Sequence, residues 1–555
     1  MSGKGVIMRT GKPFRRRRPL NLAFVLAVVI GMLSAGPVAV MAQESTPPGV
    51  VLEDGERLRE DQTLRLGVNR NLVGGDEDYW YTHASLHVYE PLIEYDDNFN
   101  LLPGLATEWT LSPDGLVWEF KLREGVTFSN GEPFTSATVL FNVERSKAKS
   151  GQPSQFLGGI FYDEIYGDPV VEAVDDHTVT FTYTEPRPLL PYAIANHYSV
   201  QWWEGQFDEN YNFTGLPIGS GPFTLVDWQR DQYATLARNE NYWKEKPVLT
   251  GIEVRIYPNE NSRLSALKAG EVDALAELGA VLPAQAGELE GDDNYVVQSF
   301  PTACNTYLLF NGTKAPFDDV RVRQALSLAI DRDAFVNDLL YGYGIPAKGV
   351  ILEANQRWFN DNPDQQVRWD IEEATNLLAE ATGGQRVKVD LVFHPPGQNL
   401  HGWPYPLMAT YLQAILQPVG FDVNLIQQES AVVTETLAAG EYNLTIHNNC
   451  WSSGEPNYQV RRTLGSDSTL HATNHGGYNN PEVDALLDQA QVELDPDVQV
   501  ELYRQAQAIG LEEAAIAPLF DQETIIAYRP FVKGLSQRIA YEPTLELVYL
   551  VESDS

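Results

Sequence analysis

Apolar residues along the chain follow two periods, one typical of strands and one typical of helices. Strand-like alternation with a period of two recurs in the first half, and a turn sequence bounds most of these runs. The runs lie at 63–68, 116–122, 170–183, 223–228, 233–239 and 252–258. Between them a helix is predicted from Thr135, whose hydroxyl can cap it, and another around 263–269. This alternation of strands and helices indicates an α/β lobe.

The second half carries the strongest helical pattern. One apolar stripe follows either Asp318 or Asp319 as N-cap and consists of Val322, Ala325, Leu326, Ala329 and Ile330. Further helices are predicted at 371–381, 407–416, 481–490 and 495–509, and strands at 387–393 and 421–428. These elements predict a second α/β lobe, so the chain is expected to form several compact lobes.

The N-terminus has the pattern of an export signal. Four arginines at 15–18 precede an apolar stretch at 22–33, and small residues end at Ala42, which predicts a signal peptide over 1–42. Cleavage near Ala35 and an uncleaved anchor are the alternatives, and the arginines also permit a twin-arginine export route. No cysteine follows the apolar stretch, so an N-terminal lipid anchor is not expected. Residues 43–62 predict a linker.

Charge and cysteine content fit an exported protein. The formal net charge is −37, and removal of a signal with seven basic and no acidic residues would take it to −44. Such a charge disfavours nucleic acid and anionic lipid as partners, although an acidic surface adapted to salt or heat is equally consistent with it. Cys304 and Cys450 are the only cysteines. In an extracytoplasmic compartment they predict a disulfide, the alternative being two buried thiols.

Motifs of catalysis are not found in the sequence. It contains no HExxH, GxSxG, CxxC, Walker A or GxGxxG pattern, which lowers the expectation of an enzyme. Two histidine pairs four residues apart, His83 with His87 and His471 with His475, have a spacing that metals can use, but their surroundings favour packing and loop. No metal or cofactor is therefore expected. Aromatic residues recur and suit sugars or peptides, although core packing is the better interpretation of any one of them: Tyr79, Trp80, Tyr81, Tyr89, Trp202, Trp203, Trp403, Tyr405, Trp451 and Tyr458.

Three long segments resemble a known family. They are 88–145 (VYEPLIEYDDN to LFNVER), 217–243 (PIGSGPFTLVDW to NENYW) and 314–347 (KAPFDDVRVRQAL to YGIPA). They are similar to the extracytoplasmic solute-binding proteins of peptide/nickel-type ABC importers, family 5, with the oligopeptide-binding branch nearest. The resemblance extends from about 63 to 535.

The resemblance implies a two-lobed, hinged periplasmic-binding-protein fold, type II, with an extra inserted domain. Domain I would comprise 63–90, 217–303 and 519–555, domain II would be 91–216, and domain III would be 304–518. In the oligopeptide branch the corresponding cysteines form a disulfide, which strengthens the prediction of a Cys304–Cys450 bridge. Ligand would bind between the lobes, and a membrane permease would recognise the closed, monomeric protein.

The resemblance also implies a binding site. In oligopeptide binders the extended ligand pairs with short protein segments, which correspond here to Glu77-Asp78-Tyr79 and Asn448-Asn449-Cys450. The branch places an aspartate two residues after the second cysteine, opposite the ligand ammonium, and this chain has Ser452. Glu455 or Glu77 are the candidate substitutes.

The ligand is therefore left open at this point. A short peptide is the first expectation and an oligosaccharide the second, for which Trp403, Asn448, Asn449, Trp451, Ser452 and Ser453 would serve. A nickel chelate, an opine or another small solute comes next, and a secreted hydrolase is the distant alternative. Catalytic activity is not expected.

Overall fold

The computed structural model of the protein describes residues 47–70, 85–150, 162–195, 199–395, 402–450, 454–467, 476–539 and 543–553. The described strands are β1 (Glu56–Leu58), β2 (Thr63–Val68), β3 (Ile93–Tyr95), β4 (Leu101–Pro103), β5 (Ala106–Leu111), β6 (Val117–Leu122), β7 (Val170–Asp175), β8 (Thr178–Thr182), β9 (Phe223–Gln229), β10 (Tyr233–Arg238), β11 (Gly251–Ile256), β12 (Ala274–Leu275), β13 (Val296–Phe310), β14 (Ile345–Pro346), β15 (Val387–Phe393), β16 (Phe421–Gln427), β17 (Leu444–Cys450), β18 (Ile516–Tyr528), β19 (Val532–Lys533) and β20 (Tyr549–Ser553).

The described α-helices are Ser85–Val88, Ser136–Lys149, Tyr162–Ile165, Leu190–Ile194, Glu260–Ala269, Pro283–Leu289, Val320–Leu328, Arg332–Ala334, Ile371–Thr382, Tyr405–Leu416, Ser430–Ala438, Pro456–Leu464, Pro481–Val492 and Pro496–Glu512. Short 3-10 helices lie at Glu204–Gln206, Pro363–Gln365 and Leu545–Leu547, and a π-helical turn lies at Phe335–Leu339. No helix within the described ranges is long and apolar enough to cross a membrane.

One eleven-stranded sheet organises most of the molecule. Its order is β16-β15-β17-β13-β18-β12-β2-β11-β10-β9, with β14 paired to β18. The two long central strands, β13 and β18, run antiparallel and connect two hydrophobic cores. Leu308 and Phe520 pack in one core, whereas Ile526 and Leu66 pack in the other. The predicted boundaries at 303/304 and 518/519 fall inside β13 and β18, and the division into domains I and III stays a prediction.

A separate four-stranded sheet lies within the segment predicted as the inserted domain. Its order is β5-β6-β8-β7, and all its pairs are antiparallel. Phe120 and Phe181 of this sheet pack against Val139 and Val143 of the helix Ser136–Lys149 in a core of their own. The period-two runs predicted at 116–122 and 170–183 are therefore present, as β6 and as the hairpin of β7 and β8.

Two local expectations differ from the structure. Thr135 is the N-cap of the helix Ser136–Lys149, but its side chain makes no cap hydrogen bond, because the N–H of Thr138 donates to the Thr135 carbonyl at 3.1 Å instead. The predicted linker 43–62 contains β1, which pairs with β20 at the other end of the chain. Gln62 also donates to the Leu550 carbonyl at 2.9 Å. A pairing partner so distant in sequence leaves no local signal.

The helix bounds otherwise follow the sequence patterns closely. Asp319 accepts from the N–H of Arg321 at 2.9 Å and begins the helix Val320–Leu328. Asp495 caps the helix Pro496–Glu512 in the same way, with proline at the first helical position. The apolar stripe predicted after Asp319 is buried, so the periodicity identified the core-facing side of that segment.

Candidate ligand-binding site

A disulfide joins the two strands at the centre of the candidate site. Cys304 of β13 and Cys450 of β17 are directly opposed in the antiparallel ladder, with 4.0 Å between their Cα atoms. Around the bridge lies a small hydrophobic cluster to which distant parts of the chain contribute: Phe99, Leu278, Ala303, Leu352 and Ile539. The bridge therefore lies where segments from the predicted domains I, II and III meet.

The outer edge of β17 is paired over only part of its length. Along its inner edge β17 pairs with β13 from Leu444 to Cys450. Along its outer edge it pairs with β15 only at Leu444 and Thr445. From 446 to 450 no strand in the described part of the chain pairs with that edge. Asn448, Asn449 and Cys450 lie in this stretch.

Asn448 is held in place by a tyrosine from a neighbouring helix. The hydroxyl of Tyr405 donates to Asn448 Oδ1 at 2.6 Å, and Tyr405 lies in the first turn of the helix Tyr405–Leu416. Trp403, just before this helix, is 5% exposed and packs edge-on against Phe520, with ring centroids 4.7 Å apart. Its ring is thus part of the core, as the packing interpretation predicted, and offers no open face to a sugar.

Glu455 has a structural task in this site. Its carboxylate accepts from the N–H of Tyr458 and caps the helix Pro456–Leu464. Burial raises the pKa of Glu455 to about 7 against the backbone hydrogen bonds that lower it. Because this carboxylate already caps a helix, it is less suited to take the place of the missing aspartate as the partner of a ligand ammonium.

Next to Glu455, the N–H of Gly454 donates to the hydroxyl oxygen of Tyr95 at 2.9 Å. The same hydroxyl donates to the Tyr192 carbonyl. A Cβ at Gly454 would lie 2.8 Å from the ring of Phe99, so only glycine permits this close approach. The segment after Cys450 is thereby joined to the segment that contains Tyr95.

Sequence reasoning missed two polar residues beside the predicted ones. Asn305 of β13 is directly opposed to Asn449 on one side and to Asp521 of β18 on the other, and all three are buried. The one feature of the sequence that could have pointed to Asp521 is the polar run DQET, which interrupts the apolar sequence of β18.

The remaining candidates are described in part. Glu77, Asp78, Tyr79, Trp451, Ser452 and Ser453 lie outside the described residues, as do His83, His471 and His475. His87 is buried, and burial lowers its pKa to about 3. The rings of Tyr89 and Trp202 pack together with centroids 4.1 Å apart. Within the described ranges no group of three or more potential metal ligands occurs.

Known proteins are similar to nearly the whole chain. The heme-binding protein A of Haemophilus influenzae is 28% identical over 82% of this chain and 86% of that protein. The probable D,D-dipeptide-binding periplasmic protein DdpA of Escherichia coli is 29% identical over 97% of this chain and 98% of that protein. The Helicobacter pylori periplasmic binding protein DppA, solved in complex with the peptide STSA, superposes with a TM-score of 0.70 at 23% identity over 88% of this chain and 98% of that chain.

The structural likeness shows the fold, and the predicted α/β binding-protein fold is confirmed. The family model of bacterial extracellular solute-binding proteins, family 5, matches residues 100–470, which is more than half of the chain. The protein is thus a member of family 5 of the bacterial extracellular solute-binding proteins.

Proposed function

We propose that this protein is the extracytoplasmic solute-binding component of an ABC importer. It captures a short peptide between two lobes and delivers it to a membrane permease as a monomer. The N-terminal segment 1–42 directs its export. Catalysis is no part of this function.

The observation that carries the proposal is the outer edge of β17. An extended peptide can pair with the backbone of 446–450 without reference to its side chains, and such pairing suits a binder of varied peptides. The disulfide at Cys450 fixes this edge to β13, so its backbone groups are held in place before the ligand arrives. Holding groups in the bound geometry lowers the entropy cost of binding.

The two lobes follow the division into domains I, II and III given above. In this proposal β13 and β18 form the hinge, because they are the long central strands that lie in both hydrophobic cores. Closure over the peptide creates the surface that the permease recognises. The joint at Tyr95 and Gly454 belongs to the closed arrangement.

Oligosaccharide binding is the alternative that the test must distinguish from peptide binding. Asn448 and Asn449 have the hydrogen-bonding groups that hydroxyls need, but Trp403 is packed in the core. Peptide binding is favoured because main-chain pairing along 446–450 does not depend on the side chains of the ligand.

The test is thermal shift with a mixture of short peptides and, in parallel, with cello-, xylo- and manno-oligosaccharides. A ligand at a hundred times its Kd stabilises by about 2.7 kcal/mol, which gives a measurable rise in Tm. We expect stabilisation by the peptide mixture only. Stabilisation by sugars alone would refute the proposal, and turnover of any ligand by the pure protein would refute the non-enzymatic part.

Hydrogen exchange then locates the ligand. Alternate N–H groups of a strand point to opposite edges, so an added peptide should slow exchange at alternate amides of 446–450. The amides that already donate to β13 serve as the internal control. Unchanged exchange along β17 in the presence of a peptide that raises Tm would show that the peptide binds elsewhere.

A further inference from the structure

A short segment of the predicted domain II is buried in a hydrophobic core of the predicted domain III. Leu189, which is 5% exposed, and the half-buried Tyr192 belong to a cluster whose other described members all lie between Val350 and Ala515. Tyr192 packs edge-on against Trp358, with ring centroids 5.9 Å apart. Two side chains from one predicted domain therefore complete the core of another.

The next residue along the chain belongs to a different core. Leu190 directly follows Leu189, but it lies in the core of the predicted domain II, together with Phe120 and Val143. Leu190 is fully buried there. Two adjacent leucines are thus divided between two cores, one on each side of the predicted domain boundary.

Residues 186–192, which we call the strap, are held firmly on the side of the predicted domain II. Trp118 Nε1 donates to the Arg187 carbonyl at 2.9 Å. The N–H of Arg187 donates to the Gly115 carbonyl at 3.2 Å. Three prolines within the strap fix further backbone torsions. Because the strap is held in this way, its two apolar side chains lose little freedom when they enter the other core.

Two further contacts cross the same boundary. A Cβ at Gly115 would lie 2.7 Å from Leu494 Cδ2, so Leu494 packs directly on the turn to which the strap is bonded. The hydroxyl of Tyr95 donates to the Tyr192 carbonyl and accepts from the N–H of Gly454. The strap is thereby connected to the segment that follows the ligand edge of β17.

Separation of the two domains would break these contacts. Leu189 and Tyr192 would leave the core around Trp358, and their removal would expose apolar surface to water and leave a cavity, both of which are unfavourable. The strap therefore favours the arrangement in which the predicted domains II and III touch. A solute that binds only to one arrangement has an apparent affinity proportional to the population of that arrangement.

We infer that the strap of the predicted inserted domain stabilises the closed arrangement, so that Leu189 and Tyr192 help to set the affinity for the solute. This rests on the proposed function, in which the lobes close over a peptide. Both side chains act through closure and are positioning residues. The inference gives the inserted domain a task in binding, which is to contribute to the free energy of closure.

The test compares Leu189→Ala with Leu190→Ala as its matched control. Both variants delete the same atoms at adjacent buried positions, so both should lower Tm, but only Leu189→Ala removes a contact between predicted domains. Leu494→Ala is a milder second variant, because Leu494 is 42% exposed. Titration with a mixture of short peptides, followed by tryptophan fluorescence, gives the half-saturating concentration. Small-angle X-ray scattering of the ligand-free proteins gives the radius of gyration.

Leu189→Ala should raise the half-saturating concentration at least about tenfold, whereas Leu190→Ala should leave it at the wild-type value. Leu494→Ala should raise it by a smaller factor, about two- to threefold. Scattering covers a protein that is mostly closed before solute binds. In that case the lost contact should raise the radius of gyration of ligand-free Leu189→Ala above that of Leu190→Ala.

Several results would overturn the inference. The same affinity and the same radius of gyration in folded Leu189→Ala and Leu190→Ala would refute it and leave peptide binding standing. Equal weakening of binding by both variants would also refute it, because the effect would then follow lost stability. If Leu189→Ala does not fold, an unchanged affinity in Leu494→Ala refutes the role of the strap.

Failure of the proposed function has a different signature. Absence of peptide binding by the wild type, together with stabilisation by oligosaccharides, would refute peptide capture. The comparison of ligand-free proteins by scattering, and a titration with the oligosaccharide that stabilises, would then still decide whether the strap holds the two predicted domains together.

Discussion

Removal of the disulfide should destabilise the protein strongly. The perturbation is the double variant Cys304→Ala and Cys450→Ala, which deletes the bridge and leaves no thiol in the chain. Alanine is preferred to serine because Cys304 lies in an apolar cluster with Phe99, Leu352 and Ile539, where an added hydroxyl would itself be unfavourable. The measured decrease in the free energy of unfolding then reflects the loss of the disulfide alone.

The expected magnitude follows from the length of chain that the bridge closes. The two cysteines are 146 residues apart. In the chain-entropy relation a loop of this length contributes about 5 kcal/mol by restricting the unfolded chain. This is comparable with the whole stability of many domains, so the double variant should unfold at much lower guanidinium concentration.

The assay is guanidinium unfolding followed in parallel by tryptophan fluorescence and far-UV circular dichroism. Coincident transitions justify a single free energy. Wild type reduced in denaturant and alkylated serves as the control, since it lacks the bridge but keeps the sequence. Equal midpoints for wild type and double variant, or two free thiols in denatured wild type without reductant, would refute the reasoning.

Three further predictions concern single residues. Tyr405→Phe removes the donor to Asn448 and should weaken peptide binding by about 1 kcal/mol in calorimetry; an unchanged Kd would separate Asn448 from the site. Gly454→Ala places a Cβ against Phe99 and should lower both Tm and peptide affinity, whereas a tolerated alanine would show that this contact yields easily. Burial lowers the pKa of His447 to about 3, so the imidazole is neutral when folded and gains a proton on unfolding below its ordinary pKa of 6.5. This group should therefore lower the free energy of unfolding by about 2 kcal/mol between pH 7 and pH 5. Denaturant titrations at the two pH values should show a smaller fall for His447→Gln than for the wild type, and equal falls would contradict the prediction.

Local patterns predicted most of the secondary structure. The strand 387–393 was expected where β15 lies, and the helix after Asp319 begins at its predicted cap. Such elements are encoded by periodicity and capping within a few residues. β1 was missed because its partner β20 is at the opposite end of the chain. Its three residues carry too short a pattern to be recognised alone.

The site was harder to predict than the fold, because it depends on strand register. Asn448, Asn449 and Cys450 were expected from the family resemblance, but the sequence gives no sign that Asn305 lies between Asn449 and Asp521. The pairing of β13 with β18 shifts between Pro301 and Asn305 and again after Thr306. Each shift changes which side chains are opposed, so counting along the strands does not recover the alignment of Asn305 with Asn449 and Asp521. The role of Trp403 is not readable from the sequence for a related reason, since only tertiary packing decides whether a ring faces the core or a ligand.

The contact between Gly454 and Tyr95 makes solute binding and closure two sides of one equilibrium in the proposed function. Gly454 follows the ligand edge of β17 by four residues, and its N–H is held by a tyrosine from the predicted inserted domain. In the proposed function, a solute that pairs with the end of β17 favours the arrangement in which this hydrogen bond forms. Linkage is reciprocal, so the factor by which bound solute favours the contact between Gly454 and Tyr95 is also the factor by which formation of that contact raises solute affinity. In the proposed function, the affinity for the solute is therefore set partly by the hydrogen bond between Gly454 and Tyr95.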